Sequence, residues 1–84
     1  MYTLEALRKQ IDNIDEQIIT LFARRFSLVK KLGKIKKEKK LPIKNITREE
    51  EKINTLIKRV EGMSKEFIRD IWQRIFTESY RLEK

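Results

Sequence analysis

An arginine interrupts an otherwise apolar helical seam. Leu4, Leu7, Ile11, Ile14, Ile18, Leu21, Arg25, Leu28, Leu32 and Ile35 recur at alternating spacings of three and four, which lays one stripe along a helix. A guanidinium on such a stripe is costly unless an anion meets it there. A carboxylate from another helix or an acidic ligand would serve. Lys36 returns to within about 20° of Arg25 and lies roughly 16 Å along the axis. Two long cations on one face suit a small dianion, although Lys36 also belongs to the lysine-rich run Lys34 to Lys40, where a solvated lysine is ordinary. Arg8 is about 25 Å from Arg25 and about 100° around the helix. Both cannot hold one small molecule from the same straight helix. Arg8 is either a surface residue beside Glu5 and Asp12 or a contribution from a partner chain.

The second half carries more polar groups at inward-leaning positions. Glu49 falls on the line of Ile53, Leu56 and Val60, though an acid in a first helical turn is also favoured by the helix dipole. Arg48 beside it is disfavoured by the same dipole, and a nearby acid or anionic ligand would offset that. Ser79 interrupts the line Ile68, Trp72, Ile75, Leu82, with Glu83 four residues later on the same face. Packing relief and a frayed helix end are the plainer readings of these two.

The elements that must position these groups are helical. Two glycines, one proline and little strand-like alternation point to an all-α chain of three helices, one long and two shorter, with residues 1–84 as one domain. Thr3 can cap the first helix, and Pro42 limits it. Gly33 inside it costs roughly 1 kcal/mol, which reflects either close approach by a neighbour or simple tolerance. Thr47 with Glu50 three residues later reads as a capping box for the second helix. Gly62 fits its stop, and Ser64 can cap the third. A first helix of about 36 residues is about 54 Å long, and helices of about 14 and 20 residues cannot cover its seam. The expectation is an intertwined homodimer with the long helices paired.

Composition removes whole classes of chemistry. With no cysteine and no histidine, zinc sites and Ser/His or Cys/His triads are excluded, and no metal or cofactor is expected. No apolar run reaches the length of a membrane span, and the first residues lack a signal-peptide pattern, so a cytoplasmic protein without membrane association is expected. The formal charge of +8 suits either a solvated surface or attraction of anions.

Together these residues resemble the all-helical chorismate mutases, the AroQ class. The resemblance rests on Leu4-x-x-Leu7-Arg8-x-x-Ile11-Asp12-x-Ile14-Asp15, on Arg24-Arg25 followed by Val29, Gly33 and Ile35-Lys36, and on Leu41-Pro42-Ile43 leading to Arg48-Glu49. It implies an isomerase that converts chorismate to prephenate in aromatic amino-acid biosynthesis, working as a homodimer with two sites. By the same resemblance Arg25 holds one substrate carboxylate and Arg8, donated across the interface, the other. Lys36 contacts the breaking ether oxygen and a carboxylate. Arg48 and Glu49 form a pair, the glutamate accepting from the ring hydroxyl, and Ser79 lies near a carboxylate. Two positions depart from the bacterial pattern. Asn45 stands where an aspartate is common. Glu83 stands where many members have a glutamine that donates to the ether oxygen, a contact a carboxylate makes only when protonated. An isochorismate-pyruvate lyase of the same fold is the alternative enzyme. A basic helical nucleic-acid-binding protein is the alternative of another class, favoured by the Lys34 to Lys40 run but lacking interleaved aromatics.

Overall fold

The computed structural model describes residues 2–84, which form three helices: α1 (Leu4–Glu38), α2 (Ile46–Arg59) and α3 (Lys65–Glu83). The expected all-α, three-helix layout holds across them. Thr3 caps α1 by accepting the Ala6 N–H at 3.0 Å, and Ser64 caps α3 by accepting the Phe67 N–H at 3.0 Å, both as the sequence suggests.

The start of α2 differs from the sequence expectation. Its cap is Asn45, whose Oδ1 accepts the Arg48 N–H at 3.1 Å. Thr47 lies within the helix and forms no capping box. Both residues are good caps; the helix begins two residues earlier because Ile46 already has helical geometry. The far end also differs. Val60 is an extended C-cap, and Gly62, at φ +86°, follows two residues later. Val60 therefore leaves the apolar face that sequence spacing assigns to it.

α1 ends in a Schellman closure. The Leu41 N–H reaches the Lys36 carbonyl at 2.8 Å and the Lys40 N–H reaches the Lys37 carbonyl at 3.2 Å, with Lys40 at φ +55° in the position usually given to glycine. Pro42 follows, so the chain cannot resume the helix.

α3 lies in the middle and packs on both α1 and α2. Its inner face contains Ile68, Ile75 and Phe76, and α2 contributes the fully buried Ile53. On α1, the stripe that meets α3 contains Phe22, Phe26, Val29 and Gly33. Val29 and Gly33 are buried, and the two phenylalanine rings stack with centroids 6.1 Å apart. This stripe is roughly 90° around α1 from the leucine–isoleucine seam. That whole seam is exposed, from Leu4 at 66% and Ile11 at 55% to Leu28 at 63%. Arg25 and Lys36 fall on the border between the two stripes.

The molecule is therefore long and thin, 57 × 24 × 16 Å, with a radius of gyration of 16.3 Å. A compact chain of this length has about 12 Å.

Candidate active site

The border position of Arg25 and Lys36 places both over a cavity between the three helices. Its volume is about 370 Å³, within the range of small-molecule sites. α1 supplies Arg25 and Lys36 with apolar Leu28, Val29 and Leu32. The α2 start supplies Asn45, Arg48, Glu49 and Lys52. α3 supplies Phe76, Ser79, Tyr80 and Glu83. Seven of the eight residues singled out by sequence thus converge. Arg8 does not; it is exposed on α1, far outside the cavity.

Each buried polar group has a local cause. Arg25 Nη1 donates to Ser79 Oγ at 2.6 Å, and that hydroxyl donates to the Ile75 carbonyl one turn back at 2.7 Å. Ser79 therefore turns a helix carbonyl into an anchor for the guanidinium. Lys36 Nζ donates to the Ile43 carbonyl at 2.7 Å, so the α1–α2 connection fixes the ammonium. It also stands 2.5 Å from Glu83 Oε1. That contact is Coulombic: among the described residues no donor meets this buried oxygen along a hydrogen-bond direction. Glu49 and Glu83 are both buried, at 7% and 4% exposure. Such carboxylates persist only with partners.

Gly33 explains how Glu83 arrives there. A Cβ at Gly33 would stand 2.5 Å from the Glu83 carbonyl oxygen and 2.7 Å from its Cα. Only glycine lets the end of α3 lie this close to α1. Of the two readings of Gly33, close approach is the one the packing bears out. Lys37 adds a tie by donating to the Lys84 carbonyl at 2.5 Å. Glu83 is accordingly ordered against α1 and not a frayed end.

The electrostatics are unbalanced. Four cations line the cavity (Arg25, Lys36, Arg48, Lys52) against two carboxylates, Glu49 and Glu83. The excess of two positive charges is the complement of a dicarboxylate. Burial lowers the Arg25 pKa from its ordinary value; Glu83 opposes that shift and repulsion from Arg48 adds to it. An anion in the cavity would relieve both the desolvation and the repulsion.

Sequence reasoning missed Tyr80 and Lys52. Tyr80 donates to Glu49 Oε2 at 2.8 Å and accepts the Asn45 N–H at 3.3 Å. Lys36 Nζ lies 6.0 Å from the centre of its ring. The available signal was the i+4 step from Phe76 to Tyr80, which puts both on one side of α3.

A helical fold with a preformed, cation-rich cavity and, among the described residues, no nucleophile–base pair defines a binding or positioning site for a small dianion. No group of metal-ligating side chains forms among the described residues, and no helix is long and apolar enough to cross a membrane. The chain belongs to the chorismate mutase type II family, whose model matches residues 7–84. It is 38% identical over 85 residues to the T-protein of Haemophilus influenzae, covering 99% of this chain and 22% of that protein. It is 40% identical over 89 residues to a bifunctional chorismate mutase/prephenate dehydratase of Aquifex aeolicus, covering 100% of this chain and 25% of that protein. The chain thus spans only about a quarter or less of the length of these relatives. A solved structure of a conserved hypothetical protein from Pyrococcus furiosus superposes with a TM-score of 0.82 at 37% identity, covering 100% of this chain and 99% of that one.

Proposed function

We propose that residues 1–84 form a chorismate mutase unit that rearranges chorismate to prephenate as an intertwined homodimer. The observation that carries this is the cavity's excess of two positive charges, with Arg25 and Lys36 held in place by hydrogen bonds to Ser79 and the Ile43 carbonyl. The reaction is an intramolecular [3,3] shift. The ether C–O bond breaks, a C–C bond forms, and no proton, metal or nucleophile is exchanged. A site without histidine or cysteine suffices if it folds the substrate into its reactive conformer and stabilises charge growing on the ether oxygen.

Arg25, braced by Ser79, grips one carboxylate with its planar fork. Arg48 and Lys52 add positive potential at the cavity wall. Glu49 accepts from the ring hydroxyl, and Asn45 holds the α2 start so that Arg48 and Glu49 face the substrate. Lys36 is aimed at the ether oxygen. Glu83, paired with Lys36, stands at the same oxygen, where a carboxyl group donates only in its protonated form.

The second carboxylate takes a further arginine, the one that the family resemblance assigns to the partner chain: Arg8 of the partner subunit. Two quantities support pairing. The chain exposes 7469 Å², whereas a compact protein of its mass exposes about 5300 Å². The excess of about 2100 Å² per chain is of the size buried in obligate dimers, and the bare apolar seam of α1 is the surface that needs covering.

The test is chorismate consumption with the product identified by NMR, from pH 4 to 9, for the wild type and Glu83→Gln. Prephenate should form, at a rate that falls as pH rises in the wild type. The glutamine variant, which donates at every pH, should flatten the profile. Unchanged chorismate at every pH would overturn the mutase reading. Prephenate formed equally well at all pH values by the wild type would remove Glu83 as the donor.

A further inference from the structure

Tyr80 hydrogen-bonds two groups of the site, the Asn45 N–H and Glu49, and nothing in the roles above uses it. Its hydroxyl is oriented from both sides. The Asn45 N–H points at the oxygen from 3.3 Å, which occupies an acceptor position and leaves the phenol proton for Glu49 Oε2 at 2.8 Å. Among the described residues no donor meets the other oxygen, Oε1 of Glu49. Glu49 itself is buried. A buried carboxylate with one oxygen anchored and one free can rotate very little, and its free oxygen lines the cavity. The ring face of Tyr80 also lies beneath the Lys36 ammonium, 6.0 Å from its centre, at the outer limit of a cation–π contact.

We propose that Tyr80 is a positioning residue that locks Glu49 through its hydroxyl, leaving one Glu49 oxygen to read the substrate's ring hydroxyl. This rests on the mutase reading above. It assigns substrate selection to a pair: Tyr80 fixes the acceptor, and Glu49 accepts. A substrate with its hydroxyl elsewhere on the ring, or none, leaves a buried carboxylate oxygen unpaired and is rejected. Because burial and the Glu49 charge raise the Tyr80 pKa above 10.0, despite the opposing Asn45 N–H, the phenol remains a donor throughout the neutral range.

The experiment has two parts. The first is a double-mutant cycle in kcat/KM for chorismate with Tyr80→Phe, Glu49→Ala and the double variant. Phenylalanine keeps the ring against Lys36 and removes only the hydroxyl. Tyr80→Phe should lose about 10- to 100-fold, the range of a hydrogen bond to a charged group, and should lose little more in the Glu49→Ala background. Multiplying losses would overturn the proposal, because a merely structural role would cost the same in either background. The second part needs no turnover. The Tyr80 ring-carbon NMR signal is titrated in the ligand-free protein, wild type against Glu49→Gln, with Tyr2 as the internal control. Ionisation of Tyr80 should move to lower pH once the neighbouring charge is gone, while Tyr2 stays fixed. An unmoved Tyr80 would overturn the pairing. If the wild type leaves chorismate untouched, the mutase reading fails, and the titration still decides whether Tyr80 holds Glu49.

Discussion

Replacing Gly33 with alanine separates stability from catalysis in a way the packing allows to be worked out. The new Cβ would sit 2.5 Å from the Glu83 carbonyl oxygen and 2.7 Å from its Cα. Both partners are backbone, so no side chain can swing aside. Restoring an ordinary contact requires the end of α3 to retreat by about 1 Å. Overpacking of this kind costs about 1–3 kcal/mol, while alanine returns about 1 kcal/mol of helix propensity at an internal position. The net loss of stability is then at most about 2 kcal/mol, and the fold survives. The carboxylate of Glu83 moves with its backbone, away from Lys36 and from the reacting oxygen. A displacement of 1 Å at such a group costs on the order of 100-fold in rate. Thermal unfolding by circular dichroism and steady-state chorismate turnover, measured on the same preparation, give the two numbers. A folded Gly33→Ala protein with wild-type kcat would show that the close approach has no bearing on the site.

Other perturbations address other parts of the site. Arg25→Lys keeps the charge but loses the fork and its bond to Ser79, so kcat/KM should fall about 100-fold with the fold intact by circular dichroism. Ile14→Glu places a charge in the middle of the bare α1 seam, where Ile14 is 53% exposed. It should give monomers in sedimentation velocity and abolish turnover together. Alkaline stability reports on Tyr80. Its phenol pKa is raised, first by burial, from 10.0, so its contribution to stability is complete below pH 10 and is lost as pH rises through the raised value. Denaturation midpoints between pH 9 and 11 should therefore fall more steeply for the wild type than for Tyr80→Phe.

Much of this arrangement is legible in the chain, and the parts that are not have identifiable causes. The caps Thr3 and Ser64, the break at Pro42 and the inward lean of Glu49, Ser79 and Glu83 follow from local rules that tertiary packing does not override. The seam of α1 is also correctly read as apolar, but it is not the face that meets α3. A helix with two apolar stripes gives no local sign of which one its own chain covers. Phe22, Phe26, Val29 and Gly33 are the covered set, and the alternation of three and four draws the eye to the other. The α2 start was mislocated because Asn45 and Thr47 are both competent caps and only one can lead. Tyr80 escaped notice because its value lies in a hydroxyl reaching across to α2, a contact of residues 31 apart in sequence.

In the proposed dimer, one catalytic cavity draws on two chains, with Arg25 from one and Arg8 from the other. Subunit mixing distinguishes this arrangement from a site built by one chain. Arg25→Ala and Arg8→Ala are purified separately, shown to be inactive on chorismate, then unfolded and refolded together. Random pairing makes half of the dimers mixed. Each mixed dimer has one site with both defects and one with neither, so the mixture should recover about a quarter of the wild-type turnover. An Arg8→Ala protein with full activity by itself, or a mixture as inactive as its components despite exchanged subunits, would contradict the account.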